Sequence, residues 1–350
     1  MSVTISPLPT IRELLKLYQV HALKRLSQNF LLNLRITDRI VKAAGKIKDG
    51  EVCEVGPGPG AITRSILMRN PQKVVVIEKD QRFEPMLENL ETSSYCDFKI
   101  IYADIMDYDL SKLFDESLKK NWNDVTPNIH LIGNLPFNVS TPLIVRWLND
   151  ISLRRNAWSL GRVKMTLTFQ EEVAERIIGI PGSKNRCRLS VMCQNWCDVH
   201  LKFKIPGTAF LPKPKVDVGV VHFEPLIEPF IKMDFEIVEK VLRIMFNYRQ
   251  KYCNRAVANL FPKELSDKLS VELFQRSELN PKLRSYQMTM DDWNRLCLAY
   301  KFICDRDPRL YSYDHRGPKN SREFNWKNSE EDRKKEKIRG RWKRKYTTMS

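Results

Sequence analysis

Residues 51–60 read E-V-C-E-V-G-P-G-P-G, and a second distinctive stretch, N-L-P-F, occupies residues 134–137. The first five residues of the glycine-rich stretch predict a short buried strand, and residues 61–67, A-I-T-R-S-I-L, have the spacing of a helix. The three glycines therefore lie at a strand-to-helix turn, where glycine permits positive φ and a close approach by a ligand. The stretch predicts an α/β fold with a ligand-binding loop at this turn.

The composition of this loop limits the kind of ligand that it binds. Its glycine spacing differs from the G-x-G-x-x-G of dinucleotide sites, and Pro57 and Pro59 each remove an amide donor. A phosphate cradle is therefore disfavoured, and a ligand without phosphates is favoured. The alternative is a tight turn with no ligand.

Acidic residues follow the next two predicted strands. Residues 74–77 end at Glu78, and residues 98–102 are followed by Asp104 and Ile105. A carboxylate at Glu78 is well placed to accept hydrogen bonds from both hydroxyls of a ribose. Asp104 can accept from an exocyclic amine while Ile105 packs on a ring. Those are the requirements of S-adenosylmethionine, and the alternative is two solvated acids.

The N-L-P-F stretch follows a predicted fourth strand, residues 129–132. The amine of a nucleobase is a poor nucleophile because its lone pair is delocalised into the ring. The side-chain oxygen of Asn134 and the carbonyl of Leu135 can accept its two N–H groups and orient the lone pair, while Pro136 stiffens the loop and Phe137 stacks on the base. Together the two loops predict methyl transfer to an amino group. An Asn-capped turn with a core phenylalanine is the alternative for the tetrapeptide alone.

These motifs, together with Q-N-F-L at residues 28–31 and F-L-P-K-P-K-V at residues 210–216, resemble the ribosomal RNA adenine dimethyltransferases, a family that includes the Erm resistance enzymes. The resemblance extends from Leu26 to Lys251. It implies a Rossmann-like S-adenosylmethionine-dependent methyltransferase sheet with an antiparallel last strand, and a small carboxyl-terminal helical domain that forms one wall of an RNA cleft. No metal is implied.

The resemblance also implies two sets of site residues. The cofactor set is Gln28, Asn29, Leu31, Glu54, Gly56, Gly58, Glu78, Lys79, Asp104, Ile105 and Asn134. The set that holds the target adenine is Asn134, Leu135, Pro136, Phe137 and Phe210, with Phe210 opposite Phe137.

The sequence predicts four segments. Residues 1–25 form a basic amphipathic segment, residues 26–228 the methyltransferase domain, residues 229–312 a helical RNA-binding domain, and residues 313–350 a basic disordered tail. The last two strands of the methyltransferase domain, near 198–205 and 218–223, are expected to form an antiparallel pair. From Asp234 onward the apolar spacing is helical, with a later helix expected to begin at 290–293.

The charge of the chain favours a polyanionic partner. The net charge is +17, and residues 316–350 carry 13 Lys or Arg against 5 Asp or Glu, an excess of 8. A segment with so few aliphatic residues cannot bury a core, so we expect it to be disordered until it meets a polyanion. Its positive charge makes RNA or the ribosome the expected partner. A solvated run of charges is the alternative.

The amino-terminal segment bears on localisation. Residues 11–26 combine four basic residues and one acidic residue with an apolar helical face, which is typical of a mitochondrial import segment. A helix packed permanently on the fold is an equal alternative.

The eight cysteines contain no C-x-x-C pair, which disfavours a zinc site and favours a reducing compartment. No apolar run reaches 18 residues, so no membrane span is predicted.

Residues 7–13, P-L-P-T-I-R-E, resemble the mitochondrial branch of the family, whose members are also called mitochondrial transcription factor B proteins. The resemblance implies dimethylation of two adjacent adenines in a 3′-terminal hairpin loop of small-subunit ribosomal RNA, in the mitochondrial matrix, with the pre-ribosomal small subunit as partner. The principal alternative is a transcription or assembly factor that uses the fold for nucleic-acid binding, with mitochondrial DNA or the transcription machinery as partner. A small-molecule transferase is disfavoured by the basic charge.

Overall fold

The computed structural model describes residues 9–317, except residues 24, 25 and 27. The chain divides into two compact units, which are described separately. The first unit extends to Leu242 and includes Tyr286–Asn294. The second unit comprises Arg243–Ser285 and, among the described residues that follow, 295–317.

The nine strands found in the described residues all lie in the first unit. They are β1 (Phe30–Leu31), β2 (Glu51–Val55), β3 (Lys73–Glu78), β4 (Asp97–Tyr102), β5 (Ile129–Gly133), β6 (Lys164–Gln170), β7 (Cys197–Ile205), β8 (Phe210–Leu211) and β9 (Val218–Pro225). Seven of them form one sheet in the order β4-β3-β2-β5-β6-β9-β7, and β1 pairs with β8 as a separate antiparallel ribbon.

The first five strands of this sheet, from β4 to β6, are parallel to one another. Every residue of β2 and of β5 is buried. Burial along the whole length of a strand indicates that both faces of the sheet are covered there. Because the strands are parallel, their carboxyl ends meet at one edge of the sheet, and the loops that follow them are brought together there.

The far end of the sheet is antiparallel. Strand β9 pairs with β6 on one side and with β7 on the other, and the second pairing runs from Cys197 opposite Pro225 to Ile205 opposite Val218. The antiparallel pair expected near residues 198–205 and 218–223 is therefore confirmed, as is the Rossmann-like sheet with an antiparallel last strand.

The helices of the first unit flank this sheet. They are α1 (Ile11–Leu17), α2 (Leu34–Ala44), α3 (Ala61–Leu67), α4 (Glu84–Thr92), α5 (Phe137–Ser152), α6 (Glu171–Ile177) and α7 (Arg188–Trp196). Helix α3 begins directly after the glycine-rich turn, and α5 begins within the N-L-P-F stretch. Both predicted loops are therefore strand-to-helix connections.

The short helix α1 is part of the core of the first unit. Thr10 and Glu13 form a reciprocal capping box at its amino terminus. Its apolar residues Ile11, Leu14 and Leu15 are buried in the main hydrophobic cluster. This packing favours the alternative of a permanently packed helix for residues 9–23. An import role of residues 1–25 stays a prediction, and residues 1–8, 24 and 25 lie outside the described residues.

The remaining helices are α8 (Phe235–Asn247), α9 (Cys253–Val257), α10 (Lys263–Ser277), α11 (Met290–Arg306) and α12 (Arg309–Ser312). The expected helical pattern after Asp234, and the helix start at 290–293, are confirmed. Within the second unit, Ser285 donates its hydroxyl to the Met245 carbonyl at 2.8 Å, and Arg306 pairs with Glu272 at 2.5 Å.

The domain boundary predicted at residue 228 stays a prediction, and the first compact unit extends to Leu242. The reason is packing: the Phe235 ring lies 5.0 Å from that of Trp196, and Glu239 pairs with Arg188 at 3.0 Å, so the first half of α8 belongs to the first unit. The basic tail was predicted from residue 313, yet Arg243 pairs with Asp314 at 3.1 Å, so the ordered chain continues past that residue. Residues 318–350 lie outside the described residues.

The part of the chain that the structure describes contains no candidate for a membrane-spanning helix or for a metal site. No helix there is both long enough and apolar enough to cross a bilayer. No group of three or more His, Cys, Asp or Glu side chains is arranged there to hold a metal ion.

Candidate active site

One cavity of the first unit opens at the carboxyl ends of the parallel strands. All of the predicted site residues line it: Gln28, Asn29, Leu31, Glu54, Gly56, Gly58, Glu78, Lys79, Asp104, Ile105, Asn134, Leu135, Pro136, Phe137 and Phe210. Residues from β1 to β8 thus converge on one site, although they span most of the first unit in sequence. The role of each of these residues is a separate question.

The glycine-rich turn adopts a backbone that side chains would obstruct. Gly58 and Gly60 have φ angles of +53° and +84°, in the left-handed region that favours glycine. A Cβ atom at Gly60 would lie 2.3 Å from the Leu90 side chain. The turn therefore packs tightly against α4 and leaves the cavity open above it.

Glu78 is bound to the backbone at the end of β3. Its carboxylate accepts the N–H groups of Gly58 at 3.0 Å, Lys79 at 2.9 Å and Asp80 at 2.8 Å. Burial raises the pKa of Glu78, and these three amides oppose that rise. A carboxylate has about four acceptor positions, so about one position is left for a ligand.

Glu54 lies deeper at the end of β2 and is 1% exposed. The Thr63 hydroxyl donates to its carboxyl group at 2.6 Å. Burial raises the pKa of Glu54 to about 8, and the negative charge of Glu78 adds to the rise. Glu54 is therefore protonated at neutral pH in this state, and a cationic ligand beside it would favour the ionised form.

Asp104, after β4, has an ion-pair partner that the sequence did not indicate. Its carboxylate pairs with the Lys79 ammonium at 2.6 Å and accepts the Met106 N–H at 2.9 Å. The hydrogen bond from Lys79 lowers the pKa of Asp104. Asp104 is therefore an ionised acceptor, and an amine bound there would share it with Lys79.

The segment before β1 is held to the rest of the site through Gln28. The Gln28 side chain accepts the Leu23 N–H at 3.0 Å and donates to Asp80 at 2.8 Å, and Arg82 pairs with Asp80 at 2.5 Å. Asp80 and Arg82 were missed at the sequence level. The only signal was an alternation of charges after Glu78, which does not indicate a partner 52 residues earlier.

The N-L-P-F loop follows β5 directly. Pro136 precedes the first turn of α5, and the Leu135 side chain is buried. Asn134 donates its side-chain amide to the Asn29 carbonyl at 3.1 Å and accepts the Thr168 hydroxyl at 2.8 Å. The aromatic residues Phe137 and Phe210 both line the cavity, and Phe210 is only 4% exposed.

A mostly parallel sheet with an antiparallel last strand, and a cavity of this kind at its carboxyl edge, define an S-adenosylmethionine-dependent methyltransferase. The family model for ribosomal RNA adenine dimethylase matches residues 20–297. The chain therefore belongs to the ribosomal RNA adenine dimethylase family. Its reaction is methyl transfer from S-adenosylmethionine to adenine in ribosomal RNA.

Relatives of known name cover nearly the whole chain. The chain is 48% identical to "Dimethyladenosine transferase 1, mitochondrial" of Xenopus tropicalis, over 93% of this chain and 94% of that one. It is also 48% identical to the Homo sapiens protein of the same name, over 94% of this chain and 95% of that one.

Two solved structures share the fold. A dimethyladenosine transferase from Plasmodium falciparum has a TM-score of 0.61 at 23% identity, covering 78% of this chain and 98% of that one. The 23S rRNA methyltransferase ErmE has a TM-score of 0.53 at 20% identity, covering 78% and 99%. At these identities the likeness concerns the fold alone.

The cavity fits this cofactor chemically. Glu78 retains an acceptor position for a ribose hydroxyl, Asp104 is an ionised acceptor, and the Glu54 carboxyl group can balance a positive charge. The two prolines of the glycine-rich turn leave it short of the amides that a phosphate requires.

Proposed function

We propose that this protein dimethylates N6 of two adjacent adenines in a hairpin loop near the 3′ end of the mitochondrial small-subunit ribosomal RNA. In this proposal the enzyme works in the mitochondrial matrix and supports assembly of the small subunit. The name that the two relatives share, "Dimethyladenosine transferase 1, mitochondrial", supports a mitochondrial compartment and a dimethylated adenine. Unpaired loop bases are the least costly for a pocket to extract, which supports a hairpin target.

The proposed chemistry depends mainly on positioning. S-adenosylmethionine supplies an electrophilic methyl group on a sulfonium. Asn134 Oδ1 and the Leu135 carbonyl would accept the two N6–H groups of the adenine, which turns the nitrogen lone pair toward the methyl group. Phe137 would stack on the base, with Phe210 helping to enclose it. The amine attacks neutral and loses its proton afterwards, so no strong general base is needed.

The observation that carries this proposal is the hydrogen bonding of the Asn134 side-chain oxygen. Its oxygen accepts one hydrogen bond, from Thr168, and an amide oxygen has two lone pairs. One acceptor position is therefore left on a residue that lines the cavity beside Glu78 and Asp104. An acceptor in that position suits an N–H group of the target base.

The alternative is a transcription or assembly factor that uses the same fold mainly to bind nucleic acid. It would not require Glu54, Glu78, Asp104 and Asn134 to converge on one cavity, as they do. The relatives' names concern dimethyladenosine transfer, and none supports DNA or the transcription machinery as a partner.

Methylation of defined transcripts tests the proposal. The purified chain is incubated with labelled S-adenosylmethionine and unmodified small-subunit ribosomal RNA, and the product is mapped by primer extension and mass spectrometry. We expect N6,N6-dimethyladenosine at two adjacent loop positions. Asn134→Ala should lower turnover by about 100-fold with little change in RNA affinity. Methylation confined to large-subunit RNA would refute the proposed target. Full activity of Asn134→Ala would refute the proposed role of Asn134.

The compartment is tested separately. Protease protection of isolated mitochondria and of mitoplasts should leave the protein intact until the inner membrane is opened. Degradation on opening the outer membrane alone would place it outside the matrix.

A further inference from the structure

The side chain of Asn134 is held from two sides by groups on different parts of the chain. Its Nδ2 donates to the backbone carbonyl of Asn29 at 3.1 Å, and its Oδ1 accepts the hydroxyl of Thr168 at 2.8 Å. Asn29 immediately precedes β1, and Thr168 lies in β6, which is parallel to β5 and adjacent to it. The residue at the end of β5 is therefore fixed by its neighbouring strand and by the amino-terminal segment.

These two contacts determine which end of the amide faces the cavity. A backbone carbonyl is only an acceptor, so the group that faces Asn29 must be the NH₂ group of Asn134. Oδ1 then faces Thr168, whose hydroxyl can donate to it. With one lone pair of Oδ1 occupied by Thr168, the other is set in a defined direction.

Thr168 is suited to this task because it is completely buried. It is 0% exposed, and Asn134 is the one side-chain partner of its hydroxyl among the residues that the structure describes. A hydroxyl buried without a partner is unfavourable by a few kcal/mol. The hydroxyl is therefore held on Asn134, and it restrains the rotation of the Asn134 side chain about its last torsion.

We propose that Thr168 is a positioning residue for methyl transfer, which acts through Asn134 by orienting the Oδ1 lone pair that receives an N6–H group of the target adenine. The inference rests on the role proposed for Asn134 and adds a residue that touches neither the cofactor nor the RNA. Asn29 contributes the second restraint through its backbone, which substitution of its side chain leaves in place.

Three variants at one position separate the hydroxyl from its surroundings. Thr168→Val keeps the shape and removes the donor, Thr168→Ser keeps the donor, and Thr168→Ala removes the donor without adding bulk. On unmodified transcripts of both mitochondrial ribosomal RNAs, we expect kcat to fall about 10-fold for Val and Ala, less than the ~100-fold loss that gross misplacement can cause. Ser should stay within about twofold of the wild type, and KM for RNA should stay unchanged in all three.

Thr166 provides a matched control. It lies two residues earlier on the same face of β6, is 1% exposed, and hydrogen-bonds to the His222 ring at 2.9 Å instead of to the site. Thr166→Val removes a buried hydroxyl at similar structural cost and should leave kcat unchanged. An equal loss of kcat in Thr166→Val would show that any buried hydroxyl of β6 matters, and would overturn the inference.

A double-mutant cycle with Asn134→Ala distinguishes this inference from the proposed function. If Thr168 acts through Asn134, Thr168→Val should add no further loss in the Asn134→Ala background. Losses that multiply, or a Thr168→Val variant with normal kcat beside an impaired Asn134→Ala variant, would overturn the role of Thr168 alone. Normal turnover of Asn134→Ala would refute the proposed role of Asn134 and the role of Thr168 with it.

Two measurements do not depend on activity. In NMR spectra of protein labelled with ¹⁵N-asparagine, the resonances of the Asn134 side-chain amide are assigned by their loss in Asn134→Ala. These resonances should change position in Thr168→Val and keep their position in Thr166→Val. Calorimetry should show S-adenosylmethionine affinity within about twofold of the wild type for Thr168→Val, as expected if the lost contact bears on the amine and not on the cofactor. An unshifted amide pair or a large loss of cofactor affinity would contradict the inference.

Discussion

The backbone N–H of Gly58 donates to the carboxylate of Glu78 at 3.0 Å, which joins the glycine-rich turn after β2 to the end of β3. Two parts of the cofactor site that are 20 residues apart in sequence are thus held in one arrangement by a charge-assisted hydrogen bond. Glu78 therefore has two tasks, because it shapes the loop and also presents an acceptor to the ligand.

The first prediction concerns this double role. Glu78→Ala should weaken S-adenosylmethionine binding by about 2 to 3 kcal/mol, because a hydrogen bond to a charged group is lost and the Gly58 amide is released. Calorimetric titration of the folded variant measures the change. Glu51→Gln is the matched control, since Glu51 is also buried and accepts a backbone N–H, from Asp115, without lining the cavity. Equal affinity of Glu78→Ala and the wild type would disprove the assignment.

The second prediction concerns the ion pair between Lys79 and Asp104. Asp104→Ala should weaken cofactor binding by about 1.5 to 3 kcal/mol if Asp104 accepts a hydrogen bond from the adenine amine. Lys79 also lines the cavity, but its side chain is largely exposed, so Lys79→Met should change the affinity by less than about 1 kcal/mol. Titration at two salt concentrations tests both variants. A larger loss for Lys79→Met than for Asp104→Ala would reverse the proposed roles.

The third prediction concerns capture of the base by Phe137. Phe137→Ala removes a ring face and should raise KM for RNA about 10-fold or more, since stacking on an aromatic side chain is worth about 1 to 3 kcal/mol per base. Phe137→Tyr keeps the ring and should retain most of the affinity. Steady-state kinetics with varied RNA concentration measure the effect. If Ala and Tyr behave alike, stacking on Phe137 is not part of base capture.

The fourth prediction concerns acid stability. His130 and His222 are buried, and burial lowers the pKa of each from 6.5 to about 4. The unfolded chain therefore binds more protons than the folded one between pH 6.5 and 4, so stability falls as the pH drops through this window. At pH 5, each histidine should lower the free energy of unfolding by about 2 kcal/mol relative to pH 7.

Denaturant titrations at pH 7 and pH 5 test this effect by difference. Glu54, whose pKa is raised to about 8, contributes in the opposite direction, because its stabilisation is lost as the pH rises from 4.5 to 8. Comparison of His130→Gln with the wild type cancels that contribution, and the variant should lose about 2 kcal/mol less on acidification. An unchanged pH dependence in His130→Gln would refute the explanation.

The fifth prediction concerns the basic carboxyl-terminal segment. Residues 316–350 carry an excess of 8 positive charges, so removal of this segment should weaken RNA binding and flatten its dependence on salt, because fewer counterions are released. Turnover at saturating RNA should stay near normal. Fluorescence anisotropy over a range of KCl concentrations gives the slope. Turnover that stays low at saturating RNA would show that the segment acts on the site itself.

Much of the site was predictable from the sequence because the fold places local motifs at defined points. In a parallel sheet each strand ends at the same edge, so the residues after β2, β3, β4 and β5 had to converge once those strands were recognised. Glu78, Asp104 and Asn134 each follow or end a short apolar run, and that pattern indicated their cavity, whereas Glu54 was implied by the resemblance to the family.

The contacts between residues that are distant in sequence depend on the tertiary structure. Thr168 lies 34 residues from Asn134, and Gln28 lies 52 residues from Asp80. The packing of α1 into the core and the unit boundary at Leu242 are of the same kind. Hydrophobic periodicity indicates which face of an element is buried. The strands, the loops and the residue types of the site could therefore be recognised from the sequence. Only strand register and side-chain rotamers select the partner that each buried polar group meets, and these are set by the folded chain as a whole.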